Sequence, residues 1–89
     1  MKLEYTVQTW YEDNQYIAHA MPVDVASSGD TPETARLAVD EAVKVFLSTA
    51  SSQGTLRTVL EDAGYRRIRG EWKCPAWSGV EQRSVLAEV

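Results

Sequence analysis

Along the first twenty-one residues, polar and apolar side chains alternate with a period of two. Leu3, Tyr5 and Val7 fall on one side and Glu4, Thr6 and Gln8 on the other, so LEYTVQTWY predicts a half-buried strand. Glu12 to Gln15 (EDNQ) form a polar turn. The alternation then resumes, with Tyr16, Ala18 and Ala20 set against Ile17, His19 and Met21, which makes the two runs a hairpin. Pro22 has no N–H to give to a ladder and interrupts the run. VDVAS, from Val23 to Ser27, predicts a short third strand.

The period then changes from two to 3.6. Thr31 can cap a helix through its hydroxyl, Pro32 fits the first helical position, and Glu33 suits the positive end of the dipole. Ala35, Ala38, Val39, Ala42, Val43, Phe46, Leu47 and Ala50 follow at helical spacing. Arg36, Asp40, Glu41 and Lys44 take the other face, with Asp40 and Lys44 spaced as an i,i+4 ion pair. Gly54 stops this helix. A second, shorter helix carries Leu56, Val59, Leu60 and Ala63 on one stripe and ends at Gly64.

Beyond Tyr65 the alternation returns. RRIRGEWKC sets Ile68, Gly70, Trp72 and Cys74 against Arg67, Arg69, Glu71 and Lys73, PAWSG is a loop, and VEQRSVLAEV predicts a last strand. The order is βββααββ. The expected fold is a single α+β domain spanning residues 1–89, with a mostly antiparallel sheet of four to five strands and helices on one face. At least one of the last two strands is expected beside the first three, through a right-handed crossover.

Composition narrows the chemistry. The chain has 89 residues, so it buries roughly 60–70% of its unfolded surface and has little room for both a core and a deep pocket. Its 44% apolar and 25% charged residues are those of a soluble globular protein. No run reaches the ~20 apolar residues of a membrane span, and the acidic, alternating start does not match a secretion signal. The single cysteine, Cys74, suits a reducing cytoplasm. The net charge of −4 is uneven, because residues 66–73 hold four basic side chains and one acid. The remainder holds five basic and twelve acidic, a balance of −7 that favours basic protein partners over nucleic acid.

SSGDTPE, at 27–33, resembles the start of a phosphate-binding loop in placing a glycine before a helix. Such a loop would add further glycines and a lysine, as in GxxxxGK[ST], whereas here Asp30 and Glu33 would face the anion. The stretch reads as a cap. One histidine (His19) and one cysteine cannot build a His/Cys metal cluster within one chain, and no G-x-S-x-G elbow marks a serine nucleophile. Among the carboxylates only Asp24 falls on an expected strand from which it could point into a site, too few for a metal-dependent nuclease. No enzyme activity and no cofactor is therefore expected. YRRIRGEWKCPAW remains the most unusual stretch, and it divides between sheet-edge protection, a protein contact, and nucleic-acid binding through cations and stacked aromatics.

The order of these motifs resembles the HicB family of antitoxins. Tyr16-Ile17-Ala18, Pro22, Gly29-Asp30-Thr31-Pro32-Glu33, Ala35 and the Ala42–Leu47 stripe carry the resemblance, most clearly over residues 3–50. It implies a partial ribonuclease-H-like fold lacking the nuclease's carboxylates, and a role in masking a small basic RNA-cleaving toxin of the HicA type. The chain carries no helix-turn-helix or ribbon-helix-helix extension like those many members append, so direct operator binding is not expected. The expected partners are such a toxin and further copies of the chain, since a small core and open sheet edges favour a homo-oligomer. The expected contacts are Asp40 and Glu41 on the first helix, then Arg67, Arg69 and Glu71 on the basic strand. The alternatives are a nucleic-acid module using Arg66, Arg67, Arg69, Lys73 and Trp77, a residual nuclease around Asp24, or an orphan domain without a toxin.

Overall fold

Asp13 and Asn14 both have positive φ, 52° and 63°, which a two-residue hairpin turn of type I′ requires. They join β1 (Thr6–Glu12) to β2 (Gln15–Met21) with Glu12 opposite Gln15 and Thr6 opposite Met21. The computed structural model describes residues 1–88, and its first sheet is the antiparallel meander β1-β2-β3, with β3 at Val25–Gly29. β3 starts two residues later than the sequence suggests. Residues 22–24 are taken up by a tight turn, in which the Met21–Pro22 peptide is cis and Asp24, at φ 62°, donates its N–H to the Ala20 carbonyl at 2.9 Å.

The register sorts the side chains. Val7, Ala20 and Val25 share one row and Thr9, Ala18 and Ser27 another, all on the inner face. Trp10, Ile17, His19, Met21 and Ala26 lie on the outer face, which no helix covers. Helix α1 (Pro32–Ser52) lies across β2 and β3 on the inner side and buries Ala35, Val39, Val43 and Ala50. Its start is the expected one: Thr31 accepts from the Thr34 N–H at 3.1 Å, and Thr34 Oγ1 accepts from the Thr31 N–H at 3.0 Å, a reciprocal capping box. Helix α2 (Leu56–Ala63) packs against α1, adds the fully buried Leu60 to the core and stops at Gly64, whose φ of 106° is a left-handed cap.

The last part of the chain departs from expectation. The letters βββααββ are matched, but by other residues. β4 (Arg66–Ile68) and β5 (Glu71–Lys73) both lie inside the stretch read as one strand, folded on a tight turn at Arg69 and Gly70, with φ 54° and 80°. They form a separate two-stranded ribbon and do not join the meander, so the expected sheet of four to five strands is divided into three plus two. Residues 80–88 form no strand; Val85 and Leu86 are 88% and 99% exposed. Val89, the end of the expected strand, lies outside the described residues. No helix among the described residues is long and apolar enough to cross a membrane.

Candidate functional site

The ribbon's turn reverses a parity argument. In one strand Arg67 and Trp72 would project to opposite sides, but in the hairpin they sit directly across from each other and share a face. The Arg67 guanidinium lies 5.9 Å from the centre of the Trp72 ring, within cation–π range. Trp72 in turn packs on the core with Cys74 and the buried Tyr65. Glu71 falls on the opposite face with Ile68 and Lys73, and it binds Lys73 at 2.9 Å. That hydrogen bond, more than the charge itself, lowers the Glu71 pKa and raises that of Lys73. Arg69 occupies the turn. The three residues expected to act together, Arg67, Arg69 and Glu71, are thus divided between one face, the tip and the other face. Between the ribbon and the chain start lies an open cleft of about 600 Å³, lined by Met1, Lys2, Leu56, Arg57 and Trp72.

Asp40 and Glu41, the other expected contacts, also separate. Adjacent helical residues point about 100° apart. Glu41 is exposed, whereas Asp40 is half-buried and accepts a hydrogen bond from the Tyr5 hydroxyl at 2.5 Å. The expected Asp40–Lys44 ion pair is absent among the described residues, because Asp40 is turned toward β1. Burial chiefly, then the hydrogen bond and charge of Asp40, push the Tyr5 pKa up to about 12. Burial also raises Tyr65 to about 12, helped by the Cys74 and Tyr5 charges. The Tyr65 hydroxyl donates to the Glu4 carbonyl at 2.6 Å and so fastens the ribbon to the start of the meander.

A group of acids that sequence spacing does not single out gathers at the opposite end of β1. Glu12 pairs with Gln15, and Tyr16 with Gly29, so Glu12, Gln15 and Asp30 align across three strands with Asp13 at the adjoining tip. Cross-strand spacing places the outer two backbones roughly 10 Å apart, within a Debye length at physiological salt. None of Glu12, Asp13 and Asp30 is in an ion pair among the described residues. The sequence alone does not show this gathering: the turn at EDNQ brings Glu12 to the hairpin tip, but Asp30 joins it only through the register of β3, which starts two residues later than expected. The cations outside the ribbon are mostly neutralised locally: Lys2 by Glu4, Arg36 by Glu33, Arg57 by Glu61 and Arg83 by Glu81. Arg66, Arg67 and Arg69 have no such partner among the described residues. From Glu4 to Glu12 a strand spans roughly 26 Å, so the two unpaired sets sit at opposite ends.

Asp24 is not on a strand. It occupies the β2–β3 turn, and its carboxylate lies 2.6 Å from Nε2 of His19. His19 lies on the outer sheet face, its ring edge-to-face with Trp10 and the ring centres 6.3 Å apart, a sheet position as the sequence suggests. Among the described residues no three of His, Cys, Asp and Glu converge as a metal-binding group. Cys74 is half-buried with Sγ 3.7 Å from the Glu4 carbonyl oxygen, and Trp77 is 52% exposed.

No protein-family model, curated protein or solved structure matches the chain.

Proposed function

We propose that the chain is a non-enzymatic protein-binding domain of the HicB type, in which the β1-β2-β3 meander and α1 form a partial ribonuclease-H-like core. Its partner in this reading is a small, basic, RNA-cleaving toxin of the HicA type, whose active surface it masks in the cytoplasm. The observation that carries the proposal is the set Glu12, Asp13 and Asp30 gathered at one end of the sheet, none of them in an ion pair among the described residues. An acidic end of this kind accelerates encounter with a basic protein and sets its orientation, more than it deepens the final affinity. Asp40, engaged by Tyr5, contributes structure rather than contact. The chain acts as a homo-oligomer in the same reading.

The test is capture from the native lysate with the tagged chain, followed by an RNA-cleavage assay on what is captured. The expected result is one small basic protein in near-equal amount, whose cleavage of RNA stops when the chain is added back. Recovery of RNA, or a captured protein with no such activity, would sink the toxin pairing.

A second reading rests on the unpaired Arg66, Arg67 and Arg69 and the exposed Trp77, which together form a basic-aromatic end suited to single-stranded nucleic acid. It requires RNA retention that weakens steeply as salt is raised, and salt-insensitive or absent retention removes it.

A further inference from the structure

Residues 80–88 carry a pattern that no element of the fold uses. They read VEQRSVLAE, with apolar residues toward both ends of the run and neither proline nor glycine within it. Yet the segment has no regular structure, and Val80, Val85 and Leu86 are 66%, 88% and 99% exposed. Such apolar exposure in one short run is what a segment shows when its partner is missing.

The meander presents a matching vacancy. β3 is an edge strand, paired on one side only, by β2. Its sequence, VASSG, has no charge and no proline, and it shows none of the devices that keep an open edge from pairing. The chain also delivers the tail to that edge. Cys74 lies by Glu4 at the start of β1, and Trp77, Ser78 and Gly79 lie by Met21 and Pro22, just before β3. Residues 74–79 therefore run from the start of β1 to the end of β2 and the turn that leads into β3.

Direction selects the recipient. A tail leaving from the start of β3 and following the sheet runs parallel to its own β3, the weaker pairing. When two copies face each other by a two-fold axis normal to the sheet, their β3 strands are antiparallel, and each tail is antiparallel to the β3 of the other copy. We infer that residues 80–88 add as a strand to β3 of a second copy of this chain, reciprocally, so that two meanders join through two exchanged tails into one antiparallel sheet. The nine residues of the tail exceed the five of β3, and the surplus spans the gap beyond Gly79. Ladder bonds then satisfy the open edge, and Val80 and Leu86 share one face of the joined sheet. The inference rests on the homo-oligomer part of the proposed function and not on the identity of any toxin.

The test uses the full chain in light scattering, beside a variant carrying Ser84→Pro and Leu86→Asp, with hydrogen exchange as the local readout. Both substitutions lie in an exposed segment outside the folded core. The wild-type chain is expected as a dimer, and the variant as a monomer or as a dimer at least tenfold weaker. In the wild-type dimer, amides of 80–88 and 25–29 are expected to exchange slowly, and in the variant quickly. A monomeric wild type overturns both the homo-oligomer reading and this inference. A dimer that survives the variant, or protection that appears along β1 in place of β3, overturns the inference alone.

Discussion

The Tyr5 hydroxyl donates to the Asp40 carboxylate at 2.5 Å, tying the segment that leads into β1 to the middle of α1 across thirty-five positions of sequence. The bond gives a half-buried carboxylate on the helix flank a partner and fixes the helix against the β1 side of the sheet, where it has least contact. Tyr5→Phe leaves Asp40 without its donor. It is expected to cost about 1–3 kcal/mol, read as a lower urea midpoint with an unchanged m-value.

The two raised tyrosines give the fold a weakness to alkali. Tyr5 and Tyr65 both have folded-state pKa values raised to about 12 from the ordinary 10.0. A raised pKa means that the unfolded chain releases the proton first. The stability tied to these hydroxyls is therefore whole below pH 10 and is lost as pH rises toward 12. Stability measured across that window is expected to fall, and the doubly substituted Tyr5→Phe, Tyr65→Phe chain is expected to fall less steeply though it starts lower. An equal slope in both chains would remove these two groups as the cause.

Gly29 sits where β3 turns into α1, against the first turn of the helix. A Cβ there would meet Thr34 Oγ1 and would stand 2.7 Å from the backbone nitrogen of Ala35. Since the helix backbone is part of that contact, it cannot rotate away. Gly29→Ala is expected to destabilise by about 1–3 kcal/mol, whereas Gly79→Ala, with nothing within 4 Å, is expected to stay near neutral. Thermal unfolding of the pair decides it.

Thr31→Ala removes the hydroxyl that accepts the Thr34 N–H and half of the reciprocal cap. The expected loss is about 1 kcal/mol, and Thr31→Ser or Thr31→Asp is expected to restore most of it. Failure of both to restore stability would assign the loss to packing of the threonine methyl.

Glu12→Lys and Asp30→Lys together reverse the charge of the acidic end, with Asp13 left in place because its φ of 52° belongs to the hairpin turn. Association with a basic partner is expected to slow by at least tenfold at low salt, with a smaller change in dissociation. Stopped-flow association kinetics at two salt concentrations measures this. An unchanged association rate would place the partner elsewhere on the chain.

Where each element's determinants lie close together in the chain, they were legible without coordinates. The hairpin turn sits within EDNQ, the α1 cap within Thr31–Thr34, the buried stripe repeats through α1, and Gly64 ends α2 by its own conformation. Each is a preference of neighbouring residues, and the tertiary structure had only to agree with it. The acidic end was not legible in this way, because the turn sets only Glu12 against Gln15, and Asp30 is placed by the β2–β3 register that the turn at residues 22–24 decides.

The rest depended on partners distant in the chain. Alternation across 66–74 fits one strand as well as two, and a turn at Arg69 and Gly70 chose two, moving Arg67 onto the face of Trp72. Asp40 carries a solvated helix pattern, and only the approach of Tyr5 made it structural. The strand expected over residues 80–88 is not formed, since a strand exists only when another edge accepts its hydrogen bonds. Period and capping are properties of the chain itself. Pairing belongs to whatever surface the fold brings alongside.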